Sequence, residues 1–179
     1  MARLEPILEK LALAQGRLLR TADSVPSGKW KTSPGNGSWS AAEIVAHLIM
    51  VERAIIANAD RIAHKTPKRV AMLKRLHLPM AFVEARLVRR KTPIPLDPEL
   101  VREKEAMLAG LREVRERTLA FLDETKSRDL SAYRWPHPFL GSLSMYGWFH
   151  MIASHEIRHE KQMRKIVTRL PKDVATLQK

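Results

Sequence analysis

The sequence has no cysteine among its 179 residues. Disulfides and thiolate metal sites are therefore excluded, which leaves histidine, aspartate and glutamate as the strong metal ligands that the chain can offer. A chain without disulfides suits a reducing compartment, so we expect a cytoplasmic protein.

The sequence also lacks a long apolar run. Its most apolar stretch, AAEIVAHLIMVERAIIANA, is interrupted by Glu43, His47, Glu52 and Arg53. A membrane-spanning helix needs roughly 20 mostly apolar residues, and the N-terminus has neither the apolar core nor the small-residue cleavage site of a signal peptide. Because 45% of the residues are hydrophobic, we expect a soluble single domain over residues 1–179.

Aromatic residues are scarce, at 6%, whereas positive charge is abundant, with a net charge of +13. Much of this charge lies in residues 61–91. A basic surface can meet nucleic acid, an anionic membrane or an anionic substrate, and it can also be a solvated face. Basic and aromatic residues do not alternate as they would in a base-stacking platform. We therefore favour a solvated face, with nucleic acid or a membrane as a possible partner that is not favoured.

Hydrophobic periodicity predicts an all-α chain with four helices and no strand. The helices span residues of about 3–21, 40–64, 97–125 and 143–169. The second helix should start at a capping box, because Ser40 and Glu43 have the required spacing. The third should start at Asp97-Pro98-Glu99, where an N-cap acid precedes a proline in the first turn.

The connection between the second and third helices is long. Residues 65–96 form a predicted, partly helical crossover in which Pro79 should kink or split a helix, and residues 170–179 form a C-terminal tail. The other loops are short. Four helices with one long crossover predict a four-helix bundle.

The stretch HMIASHEIRHEKQ, residues 150–162, holds three of the seven histidines. A helical residue turns by about 100° around the axis, which places His155 and His159 on the apolar stripe of the last helix. On the same arithmetic, His150 lies about 140° from His155 and outside the stripe, and Glu156 lies to its side. The residues that share the stripe with His155 are Trp148, Ile152, His159, Gln162 and Ile166.

A further inward histidine, His47, lies on the apolar face of the second helix. Two histidines at i and i+4 can reach one ion, although buried histidines with hydrogen-bond partners are a common alternative. Three imidazoles without a carboxylate on the stripe would leave a divalent ion its full charge and open coordination positions, as in catalytic sites. We assign no role to His64, His77 or His137.

Two separated motifs carry a family resemblance. GSWSAAEIVAHLIMVE and, about a hundred residues later, LGSLSMYGWFHMIASHEIRHEKQM resemble the DinB/YfiT-like superfamily, over residues 39–163. The matching residues are Trp39, Ser40 and His47, then Gly141, Leu143, Ser144, Trp148, His155, His159 and Gln162. The basic crossover matches no motif of that family.

The resemblance implies a four-helix bundle of up-down-down-up topology, often a homodimer, with a divalent metal ion held by His47, His155 and His159. Zinc, nickel, copper and iron all suit three imidazoles. Family members with known activity include metal-dependent transferases that attach low-molecular-weight thiols to electrophiles, which implies a thiol S-transferase acting on a small electrophile.

Two other functions stay open at this point. A metal-bound water in place of a thiol would give a hydrolase, and the bundle could bind metal or ligand without turnover, with its basic surface on nucleic acid or a membrane. No residue is marked as a catalytic base. Glu43, Trp148 and Gln162 are candidates for the surroundings of the metal, although a capping box, core packing and a satisfied core amide explain them more simply.

Overall fold

The computed structural model describes residues 4–35, 37–67 and 96–170. These residues form four α-helices and one short hairpin. The elements are α1 (Glu5–Asp23), α2 (Ala41–Ala63), α3 (Lys104–Glu124), β1 (Arg134–His137), β2 (Gly141–Ser144) and α4 (Met145–Val167). Most of the predicted crossover, with Pro79, and the tail from residue 171 lie outside the described residues. None of the described helices combines the length and apolar character that crossing a bilayer requires.

Serine caps fix the starts of the two histidine-bearing helices. The Ser40 hydroxyl accepts a hydrogen bond from the Glu43 amide, and the Glu43 carboxylate accepts one from the Ser40 amide at 2.7 Å, so the predicted capping box is confirmed. At α4, the Ser144 hydroxyl accepts a hydrogen bond from the Gly147 amide at 3.1 Å. A fixed helix start sets the rotational phase of every later residue, including the histidines.

The start of the third helix was predicted too early. Asp97 does cap a helical turn, but that turn is a 3₁₀ helix of three residues, Pro98–Leu100. The backbone then becomes extended at Val101, and α3 begins at Lys104. Leu100 and Val101 are partly buried and pack against the apolar core, so the chain packs these two side chains in place of the continuous helix that the capping signal predicts.

The prediction of no strand was wrong at one place, the loop before α4. Strands β1 and β2 pair antiparallel there, with Trp135 opposite Leu143 and Pro136 opposite Ser142. Proline is tolerated because both strands of a two-stranded sheet are edges. Leu143 is fully buried, so the hairpin is anchored in the core through β2.

Contacts between α1 and α4 show the relative direction of these helices. Lys10 donates a hydrogen bond to Ser154, and eleven residues later Thr21 donates one to Glu160. Because the partner numbers rise together, the two helices run the same way.

Helices α2 and α3 also share a direction. A Cβ on Gly110 would lie 3.5 Å from the Ile49 side chain, and one turn further Arg115 binds Glu52. Apolar clusters fill the space between the four helices, with Trp30, Leu111, Leu122 and Phe149 among the fully buried side chains.

Candidate metal centre

Three imidazoles from two helices converge at one point. The Nε2 atom of His155 in α4 lies 3.3 Å from Nε2 of His47 in α2 and 3.1 Å from Nε2 of His159. Each of the three residues offers a ligand nitrogen within 4.8 Å of the others. Across the described ranges, no other group of three or more metal-ligating side chains meets in this way. The structure therefore brings together the three histidines that the sequence singles out.

The separations between these nitrogens fit a metal ion. Two nitrogens that each lie 2.0–2.1 Å from one tetrahedral ion are about 3.4 Å apart. The observed separations of 3.1 and 3.3 Å are close to that value. The ligand nitrogens of all three residues lie within 4.8 Å of one another, so the three imidazoles could hold one metal ion.

Burial favours the neutral form of two of these imidazoles, His47 and His155. His47 and His159 are buried, and His155 is half-buried. Desolvation lowers the pKa of His47 to about 4. Desolvation, followed by the nearby charge of His47, lowers the pKa of His155 to about 3. At neutral pH both rings have a free lone pair, which is the form that a metal ion requires.

Trp39 covers two of the three histidines. Its indole is stacked on the His159 ring, with centroids 6.0 Å apart and an interplanar angle of 10°, and its centroid lies 5.0 Å from that of His47. Trp39 directly precedes the Ser40 cap, so the capping box that starts α2 also positions this wall of the site. Trp39 was noted in the sequence only as part of the family motif, and its position beside the histidines was not predicted.

The other three candidate site residues lie in different surroundings. Both contacts found for the Glu43 carboxylate are with its own cap, the amide and hydroxyl of Ser40. Trp148 stacks on Trp135 at 4.8 Å and donates its indole N–H to the Trp135 carbonyl, so it attaches the hairpin to α4. Gln162 is half-buried. The roles of these residues around a metal ion stay predictions.

His137, to which the sequence assigned no role, organises the hairpin turn. Its Nδ1 atom accepts hydrogen bonds from the amides of Phe139 and Leu140, at 3.1 and 3.2 Å. Burial lowers the pKa of His137 to about 4, so the neutral ring has its proton on Nε2. The ring also packs against Trp148, with centroids 5.1 Å apart.

A buried ionic cluster lies next to the histidines and was missed from the sequence. Arg115 of α3 donates two hydrogen bonds to Glu52 of α2, at 2.8 and 3.1 Å, and one to Glu156 of α4, at 3.0 Å. It also donates to the Leu11 carbonyl of α1 at 2.8 Å, and Thr118 donates to Glu52. All three charged residues are at most 3% exposed. Glu156, predicted to lie beside the apolar stripe, is therefore in the core.

The cluster has one carboxylate more than its single guanidinium can neutralise. Burial raises the pKa of Glu156 to about 7, although Arg115 opposes the shift. Burial lowers the pKa of Arg115, but the two carboxylates outweigh this effect and raise it overall. Glu52 and Glu156 of the cluster and His155 of the candidate metal centre line one small cavity of about 10 Å³.

Comparisons with known proteins agree with this geometry. A helical bundle with three convergent histidines from two facing helices has the geometry in which bundle proteins can hold a metal ion. The chain belongs to the DinB superfamily, whose family model matches residues 10–163. It is also similar to the uncharacterized protein YuaE of Bacillus subtilis (strain 168), with 27% identity over 140 residues that cover 77% of this chain and 83% of YuaE. No solved structure matches the chain.

Proposed function

We propose that this protein is a metal-dependent enzyme that attaches a low-molecular-weight thiol to a small electrophile. The observation that carries the metal part of the proposal is the convergence of the His47, His155 and His159 Nε2 atoms at ligand spacing. The thiol part is supported by the resemblance of the chain to DinB-like transferases. The thiol must come from a second substrate, because the chain has no cysteine.

The ligand set suits this chemistry. A divalent ion held by three neutral imidazoles keeps its full charge and has open coordination positions, where it would lower the pKa of a bound thiol. The two helices hold the three rings in place, because each is capped at its start. Trp39 shields two of the rings from water on one side, which strengthens the electrostatic effect of any ion bound there.

The up-down-down-up order of the bundle belongs to the same proposal. It is supported by the shared direction of α1 with α4 and of α2 with α3. In that order the long crossover joins two helices that run the same way. Homodimer formation and a cytoplasmic location are also proposed, and light scattering on purified protein tests the first.

Metal content tests the site directly. Untagged protein is purified, and its bound metal is measured by mass spectrometry for the wild type, His155→Ala and His64→Ala. His64 is an exposed histidine whose described contacts are confined to Asp60, so it is the matched control. We expect about one metal ion per chain in the wild type and in His64→Ala. Loss of a ligand in His155→Ala should weaken metal affinity by at least about tenfold, which the measurement detects as a lower metal content. Equal metal content in all three proteins would contradict the site.

Activity is tested on the metal-loaded protein with a panel of thiols and electrophiles. The proposal expects thiol consumption in the wild type and in His64→Ala but not in His155→Ala. Ester or amide hydrolysis without thiol consumption would instead identify a hydrolase. Metal binding without turnover of any pair would identify a binding protein.

A further inference from the structure

A groove between the C-terminal parts of α1 and α4 concentrates positive charge. It has a volume of about 410 Å³. The residues that line it, called the arginine groove below, are Arg17, Arg20, Thr21, Ser24, Arg164, Val167 and Thr168. The candidate metal centre lies between α2 and α4, so the arginine groove is on a different side of α4.

Two of the three arginines have no partner within the described part of the chain. Arg17 and Arg20 are exposed, and the structure gives their guanidinium groups no hydrogen bond or ion pair with the described residues. Arg164 binds Glu160 through Nε. The same Glu160 oxygen accepts a hydrogen bond from Thr21, so this carboxylate pairs with Arg164 and Thr21 rather than with Arg17 or Arg20.

The hydroxyl groups of the groove are also used. Ser24 donates to the Thr21 carbonyl at 2.7 Å, and Thr168 donates to the Lys165 carbonyl at 3.0 Å. Hydroxyl donors therefore contribute little to the binding of a ligand in the groove. The N–H groups of the guanidinium ions are the donors that remain, and each guanidinium has five in a planar fork.

Helix-end stabilisation explains only part of this charge. Arg20 and Arg164 lie in the last turns of α1 and α4, where a cation stabilises the helix. Arg17 lies one turn earlier and three residues from Arg20, a spacing at which like charges repel. Three guanidinium groups along one concave surface carry a repulsion that a bound anion would relieve.

We propose that the arginine groove binds the phosphate group of a small phosphorylated compound. Guanidinium forks match the geometry of phosphate oxygens, which can accept two parallel hydrogen bonds from one arginine. The groove has the volume of a small-molecule site. It has no aromatic lining residue, so it offers no surface on which nucleic-acid bases could stack. This site is independent of the proposed metal chemistry.

Calorimetric titration with pyrophosphate tests the site. The groove variant is Arg17→Gln with Arg20→Gln, and the matched control is Arg53→Gln with Arg112→Gln, which removes the same charge from exposed positions on α2 and α3. We expect the groove variant to bind pyrophosphate at least about tenfold more weakly, and the control to stay within about twofold of the wild type. Circular dichroism checks that all variants are folded.

Two further arms make the result decisive. Binding should survive in His155→Ala, because the groove does not use the candidate metal ligands, and Arg17→Lys with Arg20→Lys should restore only part of the affinity, since lysine has charge but no fork. Equal weakening by the groove and control variants would show attraction by net charge alone and overturn the proposal. So would the absence of pyrophosphate binding, or tighter binding of single-stranded DNA that both double variants weaken equally.

Discussion

The buried cluster around Arg115 allows a quantitative test of the fold. In Arg115→Met the side chain keeps much of its length but loses its charge and its four hydrogen bonds to Glu52, Glu156 and the Leu11 carbonyl. Both carboxylates are then left in the core without the guanidinium. Removing one partner of a buried ion pair costs about 3–5 kcal/mol. The Leu11 carbonyl loses only a second hydrogen bond, because it lies inside α1 and also accepts a bond within that helix.

We therefore expect Arg115→Met to lower the free energy of unfolding by at least about 3 kcal/mol. Urea denaturation followed by circular dichroism measures this change. Arg117→Met is the control, because Arg117 of the same helix also pairs with a glutamate, Glu113, but both side chains are exposed. Loss of this exposed pair should cost less than about 1 kcal/mol. A loss of under about 1 kcal/mol in Arg115→Met would refute the assigned energetics.

A triple variant tests whether the loss of stability in Arg115→Met comes from the carboxylates that are left without a partner. Replacing Glu52, Arg115 and Glu156 together by methionine removes every charge of the cluster, and buried ionic groups replaced by apolar ones of similar volume often cost little. We expect the triple variant to be more stable than Arg115→Met alone. If it is less stable, the single-variant loss does not come from the uncompensated carboxylates.

Three further predictions concern pH, glycine and metal. Because the folded-state pKa of Glu156 is raised to about 7 from 4.5, the folded protein binds more protons than the unfolded chain between these values. Its stability should fall as pH rises through this window, and urea titrations at pH 5 and pH 8 should show a smaller fall in Glu156→Gln. Gly16→Ala should stabilise α1 by about 0.5–1 kcal/mol, because a Cβ there meets only the Arg20 side chain, at 3.5 Å. Gly147→Ala should show no such gain, because its Cβ would lie 3.3 Å from the capping Ser144 hydroxyl. Equal gains in stability from both variants would contradict this prediction. Zinc at 100 times its dissociation constant should stabilise the wild type by about 2.7 kcal/mol, measured as a rise in melting temperature that His155→Ala lacks.

Local signals in the sequence were sufficient for much of the fold. The capping box at Ser40 and Glu43 predicted the start of α2, and helical phase placed His155 and His159 on one face of α4. Both inferences depend on residues within one or two turns of each other. The N-cap acid and proline at Asp97-Pro98 predicted the start of the third helix too early, because the chain forms a single 3₁₀ turn there and α3 begins only at Lys104.

Contacts between distant parts of the chain account for what was missed. Glu156 looked like a side-facing charge because helical phase compares a residue only with its own helix, whereas its partner Arg115 comes from another helix 41 residues away. The hairpin was missed because its strands have four residues each, one of them a proline. His137 gained its role only through that hairpin.

The Arg115 guanidinium touches one residue of each of the other three helices: Leu11 of α1, Glu52 of α2 and Glu156 of α4. No pair of helices can satisfy this buried group alone, so a fragment that lacks any one helix leaves a charge or an N–H donor of the cluster without its partner. The bundle should therefore unfold as one cooperative unit. It should also resist division into separately expressed halves, even though the long connection between α2 and α3 is the natural place to cut the chain.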